Sequence, residues 1–176
     1  TGDPTEVALL KAASQCGFVK EALETAEPRV SELPFDSERK CMTTFHREGD
    51  AVIAFTKGAP ERLVEKCDGR LLQGRPLPMH SETIIAEADR MARDGLRVIA
   101  YAYRRWPAVP ASPAPNHVET GLVFLGLVAM MDPPRPEAAN AVALCRTAGI
   151  TPVMVTGDHP VTATAIARRL GIVTEG

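Results

Sequence analysis

The sequence predicts an α/β protein in which an antiparallel sheet with flanking helices is followed by a second, partial α/β segment. Two segments rich in β-forming residues, 40–47 and 51–56, meet at Gly49-Asp50, a glycine-first pair suited to a type II′ hairpin turn. Apolar runs at 121–130 and 152–156 alternate with helical patterns, as buried strands of a parallel sheet do. We therefore predict one domain over residues 1–118 and a second over 119–176.

The first predicted element is a helix. Asp3 suits its N-cap, Pro4 its first turn and Glu6 its third helical position, and Gly17 can end it. Further strands are expected at 29–35 and 96–103, and further helices at 18–26, 60–66, 81–95, 137–148 and 160–170.

Composition excludes several classes of function. A net charge of −2 and a pI near 6.1 give no broad basic surface, so we expect no nucleic-acid partner. No apolar run approaches the roughly 20 residues of a membrane helix and no signal peptide is visible, so we expect a soluble chain. The four cysteines and four histidines are scattered without a CxxC pair, which predicts reduced thiols and no metal site.

The open end of the hairpin gathers candidate binding residues. Position sums near 99 pair across the turn, which places Lys57 opposite Met42 and Phe35 just beyond the same end. Phe35 offers a stacking surface, Lys57 and Lys40 offer positive charge, and Gly58 would let a flat ligand approach the backbone. A base carrying phosphates fits this combination. The residues alone leave open a structural interpretation, in which Phe35 is core, Lys57 is solvated and Gly58 belongs to a strand-to-helix turn.

Five stretches resemble one family, in the order in which that family has them. They are GDPTE, PFDSERKCM followed by KGAPE, DGLRVIAYAYR, DPPRPEA and MVTGDHPVTATAIARRLGI, and they span nearly the whole chain. They resemble P-type cation-transporting ATPases, and TGDHP is similar to the branch that contains calcium pumps, sodium/potassium pumps and their bacterial relatives. The resemblance implies that residues 1–118 form a nucleotide-binding domain lacking its first strands. It implies that 119–176 form part of a Rossmann-like phosphorylation domain of the haloacid-dehalogenase type.

The resemblance also implies roles for individual residues. The glutamate at the position of Glu6 faces the adenine amino group in the family, and the arginine at the position of Arg97 contacts the nucleotide phosphates. From the residues alone, Glu6 is equally a helix-start carboxylate and Arg97 a surface arginine. The implied nucleotide-binding set is Glu6, Phe35, Lys40, Met42, Lys57, Gly58 and Arg97. Some relatives carry an arginine two residues after the phenylalanine; Ser37 stands there in this chain, which shifts phosphate contact to Lys40 and Arg97.

Two further groups lie in the predicted second domain. Thr156, Gly157 and Asp158 occupy a strand end before a helix, where a hydroxyl, an exposed amide and the helix dipole favour an anion. In the family this threonine binds the phosphoryl group; the alternative is a simple helix N-cap. Asp132 and Arg135 match the hinge between the family's nucleotide and phosphorylation domains, and their alternative is an acidic turn beside prolines.

The function implied is the ATP-binding, cytosolic part of an integral membrane pump that uses ATP with Mg²⁺. The DKTGT motif with the phosphorylated aspartate and the magnesium-binding GDGxNDxP motif do not occur in this sequence, so we expect no catalytic residue and no metal ligand in it. The expected partners are the remaining phosphorylation, actuator and transmembrane domains, and the transported ion is set by membrane helices. The alternatives are a haloacid-dehalogenase-like phosphatase or phosphotransferase and a non-catalytic nucleotide-binding interaction module.

Overall fold

A computed structural model describes residues 3–110, 113–131, 135–157 and 160–173. The chain divides into two compact units. Residues 1–85 and 99–128 form the first unit, and residues 86–98 and 129–176 form the second. The domain boundary expected at residue 118 remains a prediction.

Seven strands form one mixed sheet, which confirms the α/β class. The strands are β1 Arg29–Asp36, β2 Cys41–Glu48, β3 Ala51–Gly58, β4 Cys67–Leu72, β5 Arg75–Pro78, β6 Leu96–Trp106 and β7 Leu122–Met131. Their order across the sheet is β1-β2-β3-β6-β7-β4-β5. The pairs β1–β2, β2–β3, β3–β6 and β4–β5 are antiparallel, whereas β4 and β7 run parallel.

Along the described part of the chain, helices form close to where the sequence predicts them, except for the short helix Pro115–Val118, which was not predicted. They are α1 Pro4–Gln15, α2 Lys20–Ala26, α3 Pro60–Val64, α4 Ser81–Arg93, α5 Pro115–Val118, α6 Pro136–Thr147 and α7 Pro160–Arg169. The predicted start of α1 is confirmed, because the Asp3 carboxylate accepts a hydrogen bond from the Thr5 amide at 2.8 Å. No helix within the described ranges combines the length and the apolar content needed to cross a bilayer.

The β2–β3 hairpin has the predicted register. Cys41 pairs with Gly58 and Met42 with Lys57, and both pairs sum to 99. Gly49 has a φ of +63° while Asp50 has a negative φ, which matches a type II′ turn and not a type I′ turn. The turn at Gly49-Asp50 therefore sets the pairing along the whole hairpin, as predicted.

One face of this hairpin belongs to the core and the other does not. Along β2, Cys41, Thr43 and Phe45 are fully buried. Phe45 joins Val52, Ala54 and Val118 in one core cluster, and a second cluster forms around Leu63, Ala100, Ala102, Leu122 and Phe124. Met42, Thr44 and His46 alternate with the core positions and are only half-buried. The period of two along a strand thus leaves the second face available for a site.

The predicted strand at 152–156 is wrong. Those residues have no regular secondary structure, and Val153 and Val155 are 80% and 94% exposed. An apolar run forms a buried strand only when neighbouring strands satisfy its backbone, and no strand in the described part of the chain pairs with it. The half of a doubly wound, haloacid-dehalogenase-type unit that we expected is therefore not confirmed, although α6 and α7 form as predicted.

Candidate functional site

A cleft of about 520 Å³ lies on the outer face of the β2–β3 hairpin. Met42, Thr44 and His46 of β2 line one side of it. Its volume falls within the roughly 300–1,000 Å³ typical of sites for small molecules and cofactors. The remaining lining residues come from α1, β1, β3 and β6, and they are Glu6, Arg29, Phe55, Thr56, Lys57 and Tyr101.

An ion pair joins two predicted nucleotide-binding residues in this cleft. The Lys57 Nζ lies 2.5 Å from Glu6 Oε1, although the residues are 51 positions apart in the sequence. Glu6 therefore directs its carboxylate toward the cleft, where the resemblance placed it. Tyr101 pairs with Lys57 across β3 and β6, and burial, together with the Glu6 charge, raises the pKa of its phenol to about 12. The phenol of Tyr101 therefore keeps its proton at neutral pH and can donate it in a hydrogen bond.

Two hydrogen bonds orient the ring of His46 in the wall of the cleft. The Nδ1 atom of His46 lies 3.1 Å from the backbone oxygen of Glu27, and its Nε2 lies 3.0 Å from Thr44 Oγ1. Because a carbonyl oxygen only accepts, Nδ1 carries a proton and donates it to Glu27, while Nε2 and the Thr44 hydroxyl share the second hydrogen bond. The His46 ring also packs edge-on against Phe55, with ring centroids 5.8 Å apart. A mainly apolar wall with few oriented polar groups suits a flat aromatic ligand.

Phe35 lies beside this cleft in a β-bulge. Leu33 pairs with Thr43 and Asp36 pairs with Cys41, so that Pro34 and Phe35 together stand opposite the single residue Met42. In a regular strand, residues 33 and 35 lie on the same face, so Phe35 would face the core as Leu33 does. The extra residue of the bulge breaks this alternation and places Phe35 next to Met42. The ring is 64% exposed and is not part of the cleft lining. The alternative interpretation of Phe35 as core is therefore wrong, and its stacking role remains a prediction.

Lys40 and Gly58 have structural partners outside the cleft. The Lys40 Nζ lies 3.4 Å from Glu61 Oε1, and both side chains are about half exposed. A Cβ added at Gly58 would lie 2.4 Å from the Lys40 backbone oxygen and 2.5 Å from Cys41 Cβ. Close packing of the hairpin end therefore explains the glycine without a ligand, and its nucleotide contact stays a prediction.

The other predicted site residues belong to the second unit. Arg97 is exposed near the start of β6, and Arg135 is exposed at the N-cap of α6. Thr156 and Gly157 are exposed in the irregular segment before α7. Asp132 and Asp158 lie outside the described residues. The cleft therefore brings together Glu6, Met42 and Lys57 from the predicted set.

Sequence reasoning missed six residues that line the cleft, and they are Arg29, Thr44, His46, Phe55, Thr56 and Tyr101. Thr44 and His46 lie on the same face of β2 as Met42. Phe55 pairs with Thr44 in the same register in which Lys57 pairs with Met42. These three residues could have been found by extending the alternation. Tyr101 could not, because its position depends on the pairing of β3 with β6, and no local pattern specifies that pairing.

Comparison with known proteins gives a consistent set of similarities. The family model for the cytoplasmic domain N of P-type ATPases matches residues 1–137. Cation-transporting ATPase pma1 of Synechocystis is 44% identical over 99% of this chain and 19% of its own length. Calcium-transporting ATPase 1 of Bacillus cereus is 43% identical over 98% of this chain and 20% of its own length. The alpha-2 subunit of the sodium/potassium-transporting ATPase of Gallus gallus is 40% identical over 99% of this chain and 18% of its own length. The chain thus spans about a fifth of the length of these relatives.

Proposed function

Because this chain belongs to the P-type cation-transporting ATPase family, as its motifs predicted, we propose that it is the ATP-binding part of a longer ion pump. The observation that carries the proposal is the hairpin register, which sets Met42 and Lys57 side by side at a cleft into which Glu6 projects. An apolar wall, a carboxylate and an ammonium group are the complements of an adenine ring, its amino group and a nearby phosphate.

Each side chain has a distinct part in this proposal. The base lies against Met42 and stacks on the neighbouring Phe35, and its exocyclic amino group donates to the Glu6 carboxylate. Lys57 leaves its ion pair with Glu6 in part and turns toward the phosphates. Lys40 adds positive charge farther along the phosphate chain, and the family resemblance implies a phosphate contact for Arg97 as well. The Glu6 side chain is half exposed, so water can solvate its carboxylate when Lys57 turns away, and the rearrangement costs about 1 kcal/mol.

Magnesium would arrive with the nucleotide. Across the described ranges, no three His, Cys, Asp or Glu side chains come together in a group that could hold a metal ion. The described residues therefore offer no cluster that fits a resident magnesium site. Mg²⁺ is typically held by phosphate oxygens, water and one or two carboxylates, so ATP itself would supply the ligands here.

The proposed task within the longer protein is presentation of ATP. The bound nucleotide directs its terminal phosphate to an aspartate that this chain does not contain. That transfer requires the remaining phosphorylation domain and the actuator and transmembrane domains as partners, and it places the chain on the cytosolic side of the membrane. Asp132 and Arg135 would serve as the hinge, with Thr156, Gly157 and Asp158 supporting the phosphoryl group.

Titration with ATP tests the proposal. One stacked base and a few exposed phosphate contacts should give a dissociation constant in the high micromolar to millimolar range, about −4 to −5.5 kcal/mol. Amide chemical shifts should change at Met42, Lys57 and Tyr101 and leave the distant β4–β5 hairpin unaffected. ATP at ten times its dissociation constant should also raise stability by about 1.4 kcal/mol, measured as a higher melting temperature. Absence of both effects at several millimolar ATP would refute the proposal and favour a non-catalytic interaction module.

A further inference from the structure

The best-buried carboxylate of the first unit lies next to the segment that carries Phe35. Glu119 is the C-cap residue of α5, and its side chain is fully buried. The Arg39 guanidinium donates to Oε1, the Thr43 hydroxyl donates to Oε1 at 3.2 Å, and the Cys41 thiol donates to Oε2 at 3.3 Å. Lys66 Nζ lies 3.5 Å from Oε2. Burial of a carboxylate is unfavourable unless charged and polar groups pair with it in this way, and removal of one partner leaves the others unsatisfied.

The Cys41 thiol is a reliable donor in this cluster. Its burial, and then the charge of Glu119, raise the pKa of the thiol to about 11. The thiol is therefore protonated at neutral pH, and its hydrogen is available to the carboxylate. Thr43 also bonds with the buried hydroxyl of Thr56 at 2.9 Å, which links the cluster to β3.

Arg39 connects this buried cluster to the bulge. Its Nη2 donates to the backbone oxygen of Pro34 at 2.8 Å, while its Nη1 bonds with Glu119. Pro34 has no amide hydrogen, and its place in the bulge removes its carbonyl from the regular β1–β2 ladder. The forked guanidinium satisfies that carbonyl and the buried carboxylate together, which a lysine cannot do.

Local hydrogen bonds complete the fold of the segment. The Asp36 carboxylate accepts from the backbone amides of Glu38 and Arg39 at 3.0 and 2.9 Å, and the Lys40 amide donates to the Asp36 carbonyl at 2.7 Å. These contacts shape the turn between β1 and β2. Only the contact of Arg39 with Glu119 ties this turn to a point 80 residues away in the sequence.

We propose that Glu119 is a positioning residue for the nucleotide base, acting through Arg39 and the Pro34 carbonyl to hold the bulge that aims Phe35. The inference rests on the proposed function for its nucleotide and on the geometry above for the position of the ring. Glu119 touches neither the cleft nor the ligand. Its effect on binding therefore passes entirely through Phe35.

The test uses variants that separate this link from general stability. Arg39→Lys keeps a positive charge for Glu119 and removes the fork that reaches Pro34. Glu119→Gln keeps the shape of the side chain and removes its charge. Lys66→Met is the matched control, because it removes the other cation beside Glu119 and leaves the Arg39–Pro34 contact in place. Urea unfolding establishes which variants fold, and Arg39→Lys suffices if Glu119→Gln does not.

Two readouts decide the proposal. In chain carrying 4-fluorophenylalanine at position 35 alone, the ¹⁹F resonance should shift or broaden in Arg39→Lys and Glu119→Gln and remain at its wild-type position in Lys66→Met. ATP affinity should fall about fivefold in Arg39→Lys, the effect of roughly one hydrogen bond, and stay within about twofold in Lys66→Met. In a Phe35→Ala background, Arg39→Lys should have no further effect on affinity.

Each contrary result has one meaning. An unchanged ¹⁹F resonance in folded Arg39→Lys overturns the positioning role. An equal loss of affinity in the Phe35→Ala background overturns it as well, because Arg39 would then contact the phosphates directly. If wild-type chain binds no ATP, the proposed function fails, and the ¹⁹F resonance still decides whether Glu119 sets the position of Phe35.

Discussion

Gly58→Ala tests whether the end of the hairpin needs its glycine for folding or for a ligand. The added Cβ would lie 2.4 Å from the Lys40 backbone oxygen, 2.5 Å from Cys41 Cβ and 2.8 Å from Cys41 Cα. Favourable contacts between such atoms begin near about 3.5 Å, so the backbone must move by about 1 Å. Two of the three atoms belong to the main chain, and no rotation of a side chain can relieve those contacts.

The magnitude follows from two contributions. Overpacking of a tight site typically lowers the free energy of unfolding by about 1–3 kcal/mol. The Lys40 oxygen also accepts from the Ala59 amide at 3.0 Å, and displacing it weakens that bond, at about 1 kcal/mol. We expect Gly58→Ala to destabilise the chain by about 2–4 kcal/mol, with or without ATP.

Urea unfolding followed by the fluorescence of Trp106, the only tryptophan, measures this effect within the unit that contains Gly58. Gly126→Ala is the matched control, because Gly126 lies in β7 with no atom within 4 Å of an added Cβ and with a negative φ. It should change the free energy of unfolding by no more than about 0.5 kcal/mol. Equal, small effects of the two substitutions would refute the packing argument and return Gly58 to the role of ligand contact.

Three further predictions concern the nucleotide. Phe35→Ala should weaken ATP binding by about 1–3 kcal/mol, through loss of base stacking, and leave the urea midpoint unchanged; Phe18→Ala, at another exposed phenylalanine, should leave affinity unchanged. Lys57→Ala should weaken ATP binding in an NMR titration and change the free energy of unfolding by less than about 1 kcal/mol, because its partner Glu6 is half exposed; unchanged affinity would remove Lys57 from the site. Incubation with γ-labelled ATP and Mg²⁺, followed by acid quench, should leave the chain unlabelled and release phosphate no faster than buffer, because the DKTGT motif with the phosphorylated aspartate does not occur in this sequence. A stable acyl-phosphate label would contradict the last of these and favour a free-standing phosphotransferase.

The parts of the fold that the sequence predicts are those that neighbouring residues determine. The Gly49-Asp50 turn sets the register of eight pairs in the hairpin, and Asp3 and Pro4 set the start of α1. The apolar run at 152–156 shows the limit of such reasoning. Its composition is that of a buried strand, but the strand state depends on partners that composition does not reveal.

The candidate site also contains contacts that neighbouring residues determine and contacts that depend on tertiary packing. Met42 and Lys57 are neighbours because of a turn within the hairpin, and that proximity is readable from the sequence. Glu119 reaches the Phe35 segment only because α5 and the hairpin pack in one unit, and a lone glutamate before an apolar strand carries no sign of that contact. Removal of a buried charge nevertheless affects residues beyond its own position, because its buried hydrogen-bond partners are left without a partner and cannot bond with water instead. Neighbours within one hairpin, such as Met42 and Lys57, can therefore be predicted from local pattern, whereas the contact of Glu119 with Arg39 becomes visible only in three dimensions.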